Sequence, residues 1–270
     1  MPSQPLMSAA WPARLAWLGA LLGLLLALLL FAPARWLSLA IDAASGGQVQ
    51  LPNARGTVWN GQADLLLTGG AGSRSQTALP QGMQWRLRPA WADGTPAVRL
   101  QVTAPCCTPQ PLLLTVSPQG LGARLRVAAV QSQWPAELLA GLGTPWNTLR
   151  LEGRLALQST GLDLQWAAGR RQLQGQLDIE LHDAASRLST LRPLGSYRFT
   201  LAAPAGGDTA TLALQTLSGE LQLQGEGQWV GGRLRFRGEA QAAPGREEAL
   251  TNLLNIIGRR QGARSLLNIG

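Results

Sequence analysis

Residues 149–158 read LRLEGRLALQ, with Leu149, Leu151, Gly153, Leu155 and Leu157 at the odd positions and Arg150, Glu152 and Arg154 between them. Successive side chains of an extended chain point to opposite faces, so the leucines line one face and the charges the other. Leucine is a mediocre strand former, yet strict alternation has no place on a helix. The pattern predicts a half-buried strand.

The same period recurs downstream. Leu173 to Leu181 is interleaved with Gln174, Gln176, Asp178 and Glu180, and Leu217 to Trp229 with Ser218, Glu220, Gln222, Gln224, Glu226 and Gln228. Leu234, Phe236, Gly238 and Ala240 alternate with Arg233, Arg235, Arg237 and Glu239. Further strands are expected at 55–67, 83–88, 98–103, 112–116, 121–129, 162–166, 197–202 and 209–216, with Gly, Pro, Asp and Ser between many of them. Two helices interrupt the series. Trp134-Pro135 ahead of Leu138, Leu139 and Leu142 suggests a short one. Arg246 to Ile257 places Leu250, Leu253, Leu254 and Ile257 on one stripe, with Glu247 and Glu248 in the first turn and Gly258 at the end.

Upstream, residues 15–32 read LAWLGALLGLLLALLLFA, uncharged and flanked by Arg14 and Arg35. Eighteen residues at ~1.5 Å rise give ~27 Å, close to the ~30 Å hydrocarbon core. Trp11, Trp17 and Trp36 lie at or near its ends, where indole rings favour the interface. The run exceeds the h-region of a cleaved signal, and Pro33 separates the alanines of the would-be cleavage site, so an uncleaved anchor is expected. The organisation that follows is a cytoplasmic N-terminus (1–14), a transmembrane helix (15–32), a helical stalk (33–47) with Leu37, Ala40 and Ile41 on one side, and a periplasmic β-rich domain (48–270). The fold expected is mainly β: an antiparallel, strongly twisted sheet, sandwich or groove, plus the anchor and the short C-terminal helix.

Composition removes much chemistry. Of 270 residues 46% are apolar and 14% charged, and all 23 basic residues are Arg, giving a net charge of +8. Without Lys there is no P-loop and no Schiff base. One His and two adjacent cysteines assemble neither a zinc finger nor a three-His site. No dense basic run marks a nucleic-acid partner. Asp178, Glu180 and His182 share a strand face and have metal-ligand chemistry, but Gln174 and Gln176 on that face make a wet surface the plainer reading. Gly225-Glu226-Gly227 is a fragment of a dinucleotide loop without its helix. Cys106 and Cys107 either close a vicinal disulfide in an oxidising compartment or remain thiols. No catalytic, cofactor or metal residue is assigned, and no enzyme activity is expected. The apolar sheet face is either packed shut or open as a groove for acyl chains.

Several segments, in order, resemble the type II secretion system protein N family, also called general secretion pathway protein N. They are Arg55-Gly56-Thr57-Val58-Trp59-Asn60-Gly61 after an anchor, Leu191-Arg192-Pro193-Leu194-Gly195-Ser196-Tyr197, and Gly219-Glu220-Leu221 through Gly225, Gly227 and Trp229. Phe236-Arg237-Gly238 follows, and Leu253-Leu254-Asn255-Ile256-Ile257-Gly258 closes the set. The resemblance implies an inner-membrane accessory or scaffold component of the machine that exports folded proteins across the outer membrane. It implies other inner-membrane secretion components and the lipid bilayer as partners, and no catalytic residue. A looser similarity to AsmA-type bridge proteins implies the alternative, an anchored groove that binds or transfers phospholipid. On these residues Trp59 is expected to pack inward between Gly56 and Gly61, and Gly195 to form a tight turn before Tyr197.

Overall fold

The structure is a computed structural model that describes residues 10–70, 72–73, 75–167, 170–204, 209–230 and 233–270. Helices α1 (Ala10–Leu30) and α2 (Ala34–Ala44) lead into short strands β1 (Val49–Gln50), β2 (Arg55–Gly56), β3 (Asn60–Ala63), β4 (Leu66–Thr68) and β5 (Gln76–Ala78). A meander follows: β6 (Met83–Ala92), β7 (Thr95–Thr103), β8 (Leu112–Gln119), β9 (Gly122–Val127) and β10 (Val130–Pro135). After a 3₁₀ helix (Ala136–Leu142) and the single turn α3 (Trp146–Leu149) come β11 (Leu151–Ala167), β12 (Arg170–Ser186), β13 (Gly195–Ala203), β14 (Thr209–Gly219), β15 (Leu221–Val230) and β16 (Arg233–Ala242). Helix α4 (Glu247–Ile257), β17 (Arg259–Gln261) and β18 (Arg264–Ile269) complete the chain.

The protein is mainly β with a large antiparallel sheet, as the alternation predicts, and most of the expected strands form, with three differences. Among the described residues one 15-stranded antiparallel sheet runs β17-β18-β16-β15-β14-β13-β12-β11-β9-β8-β7-β6-β3-β2, with β10 also on β11, and β1, β4 and β5 form a small second sheet. The single strand expected at 55–67 is three short ones. The strands expected at 149–158 and 162–166 are one, β11, except that Leu149 closes α3 and the left-handed Arg150 turns the chain into the strand at Leu151. Its continuity rests on a bulge at Ser159–Gly161, where one extra residue reverses the side-chain phase, so odd Leu155 and Leu157 and even Leu162 and Leu164 share a face. Ser159 Oγ fills the bulge, donating to Gln176 O at 2.7 Å and accepting from Gly161 N at 3.0 Å. The strand expected from Leu217 to Trp229 is broken at Glu220. Backbone N–H groups of Glu220 and Leu221 both donate to Leu194 O, at 2.8 and 3.0 Å, and turn the chain.

The register puts one apolar face across the whole sheet, from Trp85 and Leu87 through Leu100, Leu114, Leu125 and Leu164 to Leu177, Phe199, Leu212 and Phe236. Three clusters cover it. Leu250, Leu253 and Leu254 of α4 pack on Tyr197, Leu221 and Ala240. Ala34, Leu37 and Ile41 of α2 pack with Leu51, Ala63 and Trp85. The expected stalk therefore lies on the sheet, with Ala34 in place of Ala40, which is exposed. Leu79, Ala104, Cys107 and Leu138 form the third cluster. Trp91, Val98, Val116, Trp166 and Trp229, toward the other ends of the strands, stay exposed on the same face.

The transmembrane helix expected over 15–32 is not supported here. Among the described residues no helix is long and apolar enough to cross a membrane. Helix α1 ends at Leu30, short of Ala32, because the extended Pro33 starts the next helix, and its side chains are described only from Ala16.

Candidate functional site

The sequence singled out three groups of residues, and the fold keeps them at separate places. The Arg55–Gly61 motif is the β2–β3 hairpin at one edge of the large sheet. Contrary to expectation, Trp59 is only half-buried. Its Nε1–H donates to Leu29 O at 2.7 Å, and Val58 N to Ala32 O at 2.8 Å, so the hairpin tip caps carbonyls at the end of α1. The inward indole is Trp85, 3% exposed, whose Nε1–H donates to Val58 O at 3.0 Å. Gly61 is the reason it fits, since a Cβ there would enter the Trp85 ring and stand 2.8 Å from Arg55 O. Thr57 Oγ1 accepts from Asn60 N at 3.1 Å and holds the turn.

The second group meets under α4. Gly195 is no turn; it opens β13 opposite Gly219 and Ala184. Leu194, 2% exposed, donates through its N–H to Ala184 O at 2.6 Å. Tyr197 Oη donates to Leu221 O at 2.9 Å, and burial pushes the phenol well above its usual range. Pro193 precedes this junction through a cis peptide bond with Arg192. The third group is one ring with its clearance: Phe236 lies against Gly225, Gly227 and Gly238, where a Cβ on Gly225 would come within 2.5 Å of Phe236 Cζ. Trp229, paired with Leu234, is 46% exposed. Cys106 and Cys107 are joined in a vicinal disulfide. Cys107 is buried against Leu138, Leu79 and Ala104, and its carbonyl accepts from Gln133 N at 2.8 Å.

The acidic row on β12 is already partnered. Thr200 Oγ1 donates to Asp178 at 2.6 Å and Gln176 Nε2 at 2.8 Å. Glu180 takes Arg198 at 2.7 Å and His182 at 3.0 Å. Among the described residues no group of three or more His, Cys, Asp or Glu is placed to hold a metal ion.

Two features escaped the sequence reading. On the polar face Asp163 accepts from Arg124 Nε at 2.8 and 2.9 Å and also pairs with Arg126; Asp93 joins both arginines. Burial pushes the Asp163 carboxyl up, but hydrogen bonds and charge from Arg124, helped by Gln165 and Arg126, outweigh this and hold it below the usual range. The other feature is a notch of about 440 Å³ lined by Trp59, Asn60, Arg86, Leu87 and Arg88. Nothing but a two-residue alternation marks these arginines in the sequence. The notch exists because β3 stops pairing at Asn60 while β6 continues, a matter of sheet register.

No curated protein matches the chain, and no solved structure matches it. A family profile described as type II secretion system (T2SS), protein N, matches residues 47–266, which takes in nearly all of the large sheet and all three motif groups. On that match the chain belongs to the type II secretion system protein N family.

Proposed function

We propose that the protein is an inner-membrane accessory or scaffold component of the type II secretion system, supporting export of folded proteins across the outer membrane by docking and without catalysis. The observation that carries this reading is the family match over 47–266. In this reading residues 15–32 are a single-pass anchor, residues 1–14 are cytoplasmic and the β domain is periplasmic. The uncharged run of eighteen residues supports the anchor, as do the exposed leucines and Trp17 along α1. The partners are other inner-membrane secretion components and the bilayer.

Two measurements test it. An in-frame deletion is expected to leave secreted enzymes in the periplasm until the full chain is restored, and normal secretion by the deletion strain refutes the role. Alkaline phosphatase fused after Gly47 is expected to be active, and an active cytoplasmic reporter there refutes the topology. A second reading, an AsmA-like phospholipid groove, is favoured by the exposed Trp91, Trp166 and Trp229 on the apolar face. Phospholipid retained stoichiometrically by the protein after delipidating detergent exchange supports it, and its absence removes it.

A further inference from the structure

The notch beside Trp59 has an unusual charge setting. Asp64 and Asp93 are the only acids between Ala43 and Ala136, a stretch with seven arginines. Both are occupied: Asp93 by Arg124 and Arg126, and Asp64 by the side-chain amide of Asn53 at 2.8 Å. Among the described residues Arg86, Arg88 and Arg99 have no ion pair, and all three are exposed. Arg88 and Arg99 stand directly opposite each other on β6 and β7. Like charges in that position repel. A fold that holds them together gains when an anion sits between them.

Position decides which anion. One wall of the notch is Trp59, whose indole is bonded to Leu29 O, the last turn of α1. Leu87 N donates to Trp59 O at 2.7 Å and fixes that wall against β6. Trp36 and Arg35 follow on the exposed side of α2. The arginines therefore stand where an apolar helix ends, with the half-buried indole of Trp59 beside them, the arrangement of a bilayer interface. We propose that Trp59, Arg86 and Arg88, extended by Arg99, form a binding site for the phosphate headgroup of anionic phospholipid and seat this edge of the sheet on the membrane surface. The site rests on the reading of residues 15–32 as a membrane anchor. Each arginine near an anionic surface contributes about fivefold in affinity.

The test uses the full chain reconstituted into phosphatidylcholine nanodiscs holding a minority of spin-labelled phosphatidylglycerol or spin-labelled phosphatidylcholine. Motionally restricted lipid is read by electron paramagnetic resonance. Wild type is expected to select phosphatidylglycerol by fivefold or more. The Arg86→Gln, Arg88→Gln double variant is expected to fall near unity, whereas Arg233→Gln with Arg235→Gln on distant β16 keeps the preference. Equal selectivity in wild type and the notch variant overturns the site, as does loss in both double variants alike. Replacing chloride by inorganic phosphate at constant ionic strength is expected to change little; displacement of the labelled lipid would mean that the site takes free phosphate and would overturn the lipid assignment. Alkaline extraction from uncharged phosphatidylcholine vesicles tests the anchor separately. If the protein is extracted, the anchor reading fails, and flotation on anionic vesicles still decides the headgroup site through the same variants.

Discussion

Replacing Gly219 by alanine would set a Cβ against Gly195 Cα, 2.5 Å from Leu194 O and 2.9 Å from Gly195 N. All three are backbone atoms of the junction under α4, so no flexible side chain can give way. The backbone at Gly219 has φ +122, where an L side chain is strained by about 1–3 kcal/mol. Overlap in a packed region adds about 1–3 kcal/mol. The same shift would loosen the two N–H donors that converge on Leu194 O. The total expected is about 4 kcal/mol, which for a domain of this size lowers Tm by about 8–16 °C. Gly245 supplies the control: it has φ +79 with nothing within 4 Å of its notional Cβ, so Gly245→Ala carries only the conformational cost, about 1 kcal/mol. Thermal unfolding of both variants, followed by near-ultraviolet circular dichroism, separates the two contributions. Equal Tm shifts for Gly219→Ala and Gly245→Ala would refute the close-approach argument.

Trp85→Ala should cost about 3–5 kcal/mol as a fully buried indole, whereas Trp59→Ala should cost about 1–2 kcal/mol through one hydrogen bond and partial burial; denaturant midpoints in the reverse order would show that Trp59 is the core residue. His182→Gln, or Asp178→Asn with Glu180→Gln, should leave secretion near wild-type level at matched protein amounts, and a stable His182→Gln protein that abolished secretion would point to acid–base or metal chemistry on β12. Leu250→Ala should lose about 2–5 kcal/mol, since Leu250 is 0% exposed in the cluster under α4; an unchanged Tm would show that α4 does not hold the sheet. The lowered pKa of Asp163 contributes stability that is present above the usual aspartate value of about 3.9 and lost as pH falls through the folded value. The destabilisation of Asp163→Asn relative to wild type should therefore be full at pH 6 and shrink toward pH 3, and a constant difference in urea midpoint would exclude the linkage.

The strands from 149 onward were legible because half-burial imposes a period of two that short polar side chains make visible. Gln174, Gln176, Asp178 and Glu180 between leucines leave little doubt about which face is wet. The α4 stripe was legible for the same reason at a different period. Strand ends were harder. Thr160 is one residue among many, yet the bulge beside it joins two expected strands into β11. Glu220 sits in unbroken alternation, yet the chain turns there because the carbonyl of Leu194, 26 positions earlier, accepts from the N–H groups of both Glu220 and Leu221. β17 and β18 carry too short a pattern to stand out before the sheet supplies a partner for them.

Local periodicity and residue inventory, properties of neighbours in the chain, settled by themselves that this protein is built from half-buried strands with an apolar run ahead of them, and that Lys-dependent chemistry is absent. The order of its motifs carried the family resemblance without any structure. Which indole goes inside was decided only in three dimensions, because Gly61 meets Trp85 across a strand pairing and leaves Trp59 to the end of α1. Tertiary pairing likewise ties Asp178 to Thr200 and Glu180 to Arg198, with His182 on Glu180, and among the described residues leaves Arg86, Arg88 and Arg99 without an acid. Charge compensation acts through space at a few ångströms, and the distance between two residues along the chain says nothing about it.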